Sequence, residues 1–108
     1  MYDLVVLAGK PPDWTHEEFI AWWRGDHADL TRKLPGLRSW RHIEVERSLE
    51  DRSDGWDGVS ILGFDSEDAL EAALASEEWQ AAVRHVGPMR GRRIAVVGTE
   101  ATLFPLPE

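Results

Sequence analysis

Hydrophobic and polar residues alternate along the chain in patterns that predict four strands. The run YDLVVLAG at 2–9 is rich in branched residues and ends at Gly9, which is typical of a strand buried on both faces. Further strands are predicted for LRSWRHIEVERS at 37–48, WDGVSILGF at 56–64 and RRIAVVGTEATLF at 92–104.

The longest helix is predicted between the first two strands. Thr15 and Glu18 have capping-box spacing, because the Thr15 hydroxyl can accept from the Glu18 amide while the Glu18 carboxylate accepts from the Thr15 amide. Apolar residues then recur every three or four positions until Pro35 and Gly36 end the helix. The members of this stripe are Phe19, Ile20, Trp22, Trp23, Leu30 and Leu34.

Two shorter helices are predicted between the third and fourth strands. Ser66 caps a helix at 67–76, and a second helix at 77–86 follows Ser76 and ends before Pro88. The resulting order is that of an α+β ferredoxin-like plait, β-α-β-β-α-β with one extra short helix. In this plait the helices cover one face of a four-stranded antiparallel sheet.

The other face of that sheet is expected to carry apolar residues that a second layer must cover. Strand alternation puts Ile43 and Val45 on one face of the second strand, and Trp40 and His42 on the other. We expect Trp40 and Leu62 to lie on the face that the helices leave bare. A second copy of the chain on this face would close a barrel with two-fold symmetry, so that both subunits line the enclosed pocket.

Composition narrows the class of protein. The 108 residues fit one domain, 1–108, and the 43% hydrophobic and 30% charged content is that of a globular protein. The absence of cysteine excludes disulfides and thiolate chemistry and suits a reducing cytoplasm. A net charge of −8 and only two small basic groups argue against nucleic-acid binding. The first apolar run is too short for a signal peptide or a membrane span, so we expect a soluble cytoplasmic protein.

Two segments carry a set of motifs in a fixed order, WTHEEFIAWWRGDHADLTRKLPGLRSW and DGVSILGFDSEDALEAALASEEWQAA. The motifs are an acidic helix start, a tryptophan four residues before a histidine, LPGL, and a DG strand leading to FDS. They correspond to Glu17 and Glu18, Trp23 and His27, Leu34 to Leu37, Asp57 with Gly58, and Phe64 to Ser66. With these motifs the chain resembles the EthD family of dimeric α/β-barrel proteins over most of its length.

The resemblance implies a homodimer with a cavity between the sheet and the long helix. Relatives in the superfamily include cofactor-free isomerases, dehydratases, polyketide cyclases and oxygenases, and many members have no assigned reaction, so the fold does not settle the chemistry. Asp26 stands where the family has an apolar residue before the histidine, and its carboxylate is expected to alter the titration of His27.

His27 is the first candidate for catalysis. On an ideal helix it lies on one flank of the apolar stripe, with Asp26 on the opposite flank. One ring nitrogen could therefore face a cavity and transfer protons near neutral pH. The alternative role is structural, with His27 packed on Trp23 and donating to a backbone carbonyl.

The remaining site candidates lie on strands. His42 shares a strand face with Trp40, which we expect to form a wall of the cavity, and the alternative for His42 is a solvated or interface position. Trp56, at the start of a strand, is expected to line the mouth of the cavity or the dimer contact. Ser60 is expected to orient a substrate, and Leu62 to contact it.

The other histidines and tryptophans are predicted to have structural roles. His85 lies near a helix end, where a cation meets the helix dipole favourably, and His16 is expected to be exposed. Trp22, Trp23 and Trp79 fall on helix stripes and are expected to fill the core. No histidine spacing predicts a metal site, and the segment GPMRGRR lacks the lysine and the context of a phosphate-binding loop.

These observations lead to a hypothesis of a homodimeric, cofactor-free enzyme that acts on a planar aromatic or polyketide-like metabolite by isomerisation, cyclisation or dehydration. The predicted catalytic residues are His27 and His42, and the predicted substrate-binding residues are Trp23, Asp26, Trp40, Ser60, Leu62 and Trp56. Two alternatives stay open: a binding or accessory protein without turnover, and an oxygenase that is either cofactor-free or uses haem with a histidine as axial ligand.

Overall fold

The computed structural model describes residues 1–87 and 91–106, and within them the chain forms four strands and four α-helices. In chain order these are β1 (Tyr2–Gly9), α1 (His16–Arg24), α2 (Asp26–Thr31), β2 (Ser39–Glu44), β3 (Gly58–Phe64), α3 (Glu67–Leu74), α4 (Glu77–Val86) and β4 (Arg92–Thr99). A short 3-10 turn, Asp51–Ser53, lies in the loop before β3.

The strands form one antiparallel sheet in the order β2-β3-β1-β4. This order confirms the predicted ferredoxin-like plait. Strand β4 ends at Thr99 rather than at residue 104, because Thr99 pairs with Tyr2 at the beginning of β1 and no further partner follows. Strand β2 is also shorter than the predicted 37–48.

The first helical region is interrupted at Gly25, so the prediction of one continuous helix is wrong. The Gly25 backbone (φ −98°, ψ −110°) is not helical, and its amide donates to the Trp22 carbonyl instead of continuing the helical pattern. A Cβ at Gly25 would lie 2.7 Å from the Ala21 carbonyl oxygen, a close approach that only glycine permits. The predicted capping box of Thr15 and Glu18 is present at the start of α1.

The helices cover the face of the sheet opposite to the one expected. Leu4 on β1 aligns with Leu62 on β3, which aligns with Trp40 on β2. Leu62 is only 3% exposed in the core beneath the helices, and Trp40 packs against that core. The prediction that Trp40 and Leu62 lie on the bare face is therefore wrong, because the register with β1 assigns both residues to the covered face.

The bare face of the sheet is apolar. Two rows of side chains cross this face from β2 to β4. One row consists of Ile43, Val59, Leu7 and Ile94, and the other consists of Arg41, Ile61, Val5 and Val96. Ile43 and Ile94 are each 52% exposed and Val96 is 60% exposed.

His16 joins α1 to the sheet through two carboxylates and is half-buried, which corrects the expectation of an exposed side chain. Its Nδ1 lies 2.7 Å from Asp57 Oδ1, and its Nε2 lies 2.9 Å from Glu44 Oε2. Asp57 also accepts from the Lys10 amide at 2.7 Å. The hydrogen bond with Asp57, followed by the one with Glu44, raises the pKa of His16 above its ordinary value of 6.5.

Trp23 packs directly against Gly58, the first residue of β3, which has no side chain. A Cβ at Gly58 would overlap Cζ3 of the Trp23 indole, so the absence of a side chain at Gly58 lets α1 approach β3. Trp23 is only 5% exposed and belongs to a core cluster with Ala8 and Phe19.

The His16 cluster predicts a pH-dependent contribution to stability. Because the folded-state pKa of His16 is raised, its stabilisation is fully present below the unfolded pKa of 6.5 and is lost as the pH rises through the folded-state pKa. We expect His16→Gln to lower the free energy of unfolding by about 1 kcal/mol or less at pH about 6, where both carboxylates are ionised. The deficit should shrink as the solution becomes alkaline. Urea unfolding of both proteins across this range measures it, and a deficit independent of pH would contradict the assignment.

The contact between Gly58 and Trp23 predicts a cost for the smallest possible side chain. We expect Gly58→Ala to lower the free energy of unfolding by roughly 1–3 kcal/mol, because the added methyl overpacks the core. Gly98→Ala is the matched control on the same sheet, since nothing lies within 4 Å of a Cβ at Gly98. Urea unfolding compares the two variants, and equal stabilities would refute this packing argument.

Candidate active site

An apolar cavity of about 220 Å³ lies between the covered face of the sheet and helices α1, α2 and α4. Phe19, Trp22, Trp23 and Trp79 supply its aromatic lining. Polar groups come from His27, Thr31, Ser60 and two arginines of β4. All of these residues belong to one chain, and the cavity lies between the sheet and the helices, where the family resemblance implied it.

Two histidines meet beside this cavity on the face of one tryptophan. His27, in α2, is 8% exposed, and its Nδ1 lies 3.2 Å from Nδ1 of His85 in α4. Both imidazoles are parallel to the Trp22 indole within 12°, with ring centroids 4.6 Å and 5.1 Å from it. The two imidazoles therefore lie side by side on Trp22 and share one hydrogen bond.

This contact restricts the protonation of the two histidines. A hydrogen bond between two neutral imidazoles needs a proton on one Nδ1 and a lone pair on the other. When His27 donates through Nδ1, its Nε2 carries a lone pair. Among the described residues Nε2 of His27 has no hydrogen-bond partner, so it is left for a molecule in the cavity.

Burial keeps His27 neutral near physiological pH. Desolvation, followed by the nearby charges of His85 and Arg93, lowers the pKa of His27 to about 4. Asp26 is exposed and does not contribute to this shift. The groups that control the titration of His27 are thus His85 and Arg93, and not the carboxylate that the sequence suggested.

His42 contacts Trp23, which lines the cavity, but is not itself among the residues that line it. Its ring meets the Trp23 indole edge-on, with centroids 4.0 Å apart, and its Nδ1 accepts from Arg24 Nε at 3.0 Å. The proton of the neutral ring is therefore on Nε2, which is buried without a partner among the described residues. Burial, followed by the charge of Arg24, lowers the pKa of His42 to about 4. This geometry supports Trp23 and does not bring His42 to the cavity.

The predicted substrate-binding residues divide into three groups. Trp23, Ser60 and Leu62 line the cavity. Trp40 lies one layer away and donates from Nε1 to Ser60 Oγ. The other two are remote, because Asp26 is exposed and Trp56 packs beneath the Arg92 guanidinium, 4.0 Å from its ring centroid.

Two residues beside His27 have positions that the sequence pattern did not predict. His85 lies in the last turn of α4, as expected for a residue at a helix end, but its ring pairs with His27. Trp22 is half-buried and forms the platform for both imidazoles. A signal was available in hindsight, because Trp22 and His85 each occupy the inward side of an amphipathic helix.

Two structural absences apply to residues 1–87 and 91–106. No group of three or more histidine, aspartate or glutamate side chains there could hold a metal ion. None of the helices in this part of the chain has the length and apolarity required to cross a bilayer.

Solved structures of low sequence identity share this fold. An EthD family protein from Bacillus halodurans is 24% identical, with a TM-score of 0.76 over 94% of this chain and 99% of the other. A hydroxynitrile lyase from Passiflora edulis is 16% identical, with a TM-score of 0.76 over 96% of each chain. SnoaB, a cofactor-independent oxygenase from Streptomyces nogalater, is 16% identical, with a TM-score of 0.67 over 96% of each chain.

Dimers occur among the similar structures. A dimeric ferredoxin-like protein from Thermobifida fusca is 20% identical, with a TM-score of 0.63 over 92% of this chain and 90% of the other.

The sequence of the chain identifies its family. No curated protein matches the chain. The model of the EthD domain matches residues 11–88, which include α1, α2, β2, β3, α3 and α4. The chain therefore belongs to the EthD family, as its motifs indicated.

Proposed function

We propose that the protein is a small, cofactor-independent enzyme that moves a proton on a planar aromatic substrate held in the cavity. His27 is the general base and then returns the proton as general acid. The observation that carries this proposal is the contact between His27 and His85, which leaves one nitrogen of a neutral imidazole free beside an apolar cavity. Isomerisation, cyclisation and dehydration each need such a group in a site that excludes water.

His85 is the positioning residue in this mechanism. When Nε2 of His27 takes a proton from the substrate, the new imidazolium donates through Nδ1 to the lone pair of His85 Nδ1. The arrangement corresponds to a base whose second nitrogen is oriented by a hydrogen-bond acceptor. Stacking on Trp22 fixes both rings in the plane that this hydrogen bond requires.

The size of the cavity limits the substrate. A dry cavity of about 150 Å³ holds benzene, and the present cavity is about 220 Å³. It therefore suits one substituted aromatic ring or a small fused pair, and it is too small for a haem group or a ligand of several fused rings. Its aromatic walls favour a planar ligand, and Ser60 supplies a hydroxyl at the strand side.

The non-catalytic alternative uses the same cavity. A binding or accessory protein would hold an aromatic ligand between the same walls without any proton transfer. The experiment below separates it from the enzyme, because binding and turnover are measured together.

The proposed base predicts turnover of a probe that reports proton abstraction directly. We expect the protein to catalyse the Kemp elimination of 5-nitrobenzisoxazole, in which a base removes the proton on carbon, the N–O bond breaks and a coloured phenolate forms. His27→Ala should lower kcat by at least about a hundredfold. His85→Phe keeps an aromatic ring on Trp22 but removes the acceptor, so loss of a hydrogen bond to a charged group, about 1.5–3 kcal/mol, should lower kcat roughly 10- to 100-fold.

The control is His16→Gln, which removes a histidine that does not line the cavity, and its kcat should equal that of the wild type. In the wild type the rate should fall in acid as His27 takes up a proton near its pKa of about 4. Saturable binding of the probe without turnover would refute the enzyme and favour the binding protein. Undiminished turnover in His27→Ala would remove His27 from the mechanism.

We also propose that two copies of the chain associate through the bare face of the sheet. Ile43, Ile94 and Val96 are each more than half exposed there and form continuous rows with residues of the central strands. An apolar sheet face of this kind is costly in water and is typical of an interface between subunits. A dimeric neighbour of the same fold supports the association of two copies.

The association predicts that one charge on the bare face produces a monomer. Analytical ultracentrifugation should find a dimer for the wild type and a monomer for Val96→Glu, because a carboxylate would be buried without a partner at the contact. Leu49→Glu is the matched control, since Leu49 is 82% exposed in a loop outside the sheet, and it should remain dimeric. A monomeric wild type, or a dimeric Val96→Glu, would contradict this contact.

A further inference from the structure

Arg93 is one of two arginines of β4 that bring positive charge to a mainly apolar cavity. It lies on β4 opposite Ala8 and therefore on the face covered by the helices. Its guanidinium carbon is 5.5 Å from the ring centroid of Trp79, and both residues line the cavity. Burial lowers the pKa of Arg93, but the group stays charged at any physiological pH.

The described residues provide no carboxylate for this guanidinium. Arg24, Arg32, Arg38 and Arg41 each lie within 4 Å of an aspartate or glutamate oxygen, whereas no acidic side chain among residues 1–87 and 91–106 approaches Arg93 in this way. The chain has 20 acidic residues against 12 lysines and arginines, so acidic groups are not scarce. Arg93 is exposed to solvent on one side and lines the apolar cavity on the other, and a cation in this position without a counterion gains from an anion that arrives with a ligand.

The other polar groups of the cavity already have partners. Thr31 Oγ1 donates to the His27 carbonyl at 3.1 Å, and Ser60 Oγ accepts from Trp40. His27 is neutral and is bonded to His85 at one nitrogen. Of the two arginines that line the cavity, Arg92 donates from Nη1 to the Asp54 carbonyl, whereas the side chain of Arg93 has no hydrogen bond among the described residues. The guanidinium of Arg93 is therefore the charged donor that remains for recognition of a ligand.

We propose that the cavity selects planar aromatic carboxylates, with Arg93 receiving the carboxylate while the aromatic walls hold the ring. The planar fork of a guanidinium matches the two oxygens of a carboxylate, which fixes the ligand in one orientation. This inference rests on the proposed function for the identity of the site, and it adds the substrate class. A carboxylate bound to Arg93 would also affect His27, because it offsets the positive charge of Arg93 that disfavours protonation of His27.

The experiment compares a planar acid with its neutral isostere. Isothermal titration calorimetry measures the binding of trans-cinnamate and of trans-cinnamamide to the full-length wild type, Arg93→Gln and Arg84→Gln. We expect the wild type to bind cinnamate at least about tenfold more tightly than the amide, as for one charge-assisted interaction. Arg93→Gln should lose this preference by weakening cinnamate alone. Arg84→Gln removes an exposed arginine of α4 outside the cavity lining and should keep the preference.

The inference is overturned if the wild type binds acid and amide equally, if it binds neither at millimolar concentration, or if Arg93→Gln retains the preference. Weakening of both ligands in Arg93→Gln would also overturn it, because Arg93 would then act by packing alone. The two proposals fail separately. Equal binding of acid and amide removes the anion site but leaves the elimination that depends on His27, whereas undiminished turnover in His27→Ala removes the base and leaves selective binding of cinnamate intact.

Discussion

The stacking of two imidazoles on the Trp22 indole is the interaction on which the site depends. It joins three helices, because Trp22 is in α1, His27 in α2 and His85 in α4. The interruption at Gly25 makes this possible, since α2 begins anew after it and directs His27 towards the cavity. The buried His27 and the half-buried His85 are accommodated here because each ring uses one nitrogen in the hydrogen bond with the other. A continuous helix through Gly25 would change the angle between Trp22 and His27 and separate the rings.

Histidines in this small protein occupy environments of opposite electrostatic character. His16 lies between two carboxylates and has a raised pKa, whereas burial lowers the pKa of His27 and of His42 to about 4. In mild acid His16 is therefore protonated and holds α1 on the sheet, while His27 beside the cavity is uncharged. The protonation of His16 and that of His27 thus change in separate pH ranges. This separation arises from position alone, since all of these groups have the same chemistry.

The sequence predicted the plait because local rules and the overall topology agree. The capping box at Thr15, the cap at Ser66 and the branched run of β1 each depend on near neighbours, and the structure confirms them. The predictions were wrong where contacts between residues far apart in the chain determine the structure. Alternation in β2 gives two faces but does not say which one the helices cover, and only the register with β1 assigns Trp40 to the core.

The site residues illustrate the same limit. His27 was identified through a motif and lines the cavity, whereas His85 is 58 positions away in the chain and no local pattern could pair it with His27. His16 follows a helix cap and is predicted to lie in solvent, but Glu44 at the end of β2 and Asp57 directly before β3 both reach it. Strand β4 raises a related point about assembly. It is an edge strand, paired only with β1, and it carries Arg93 towards the cavity and Val96 towards the bare face. A subunit packed on Val96 would therefore hold in place the backbone that presents Arg93.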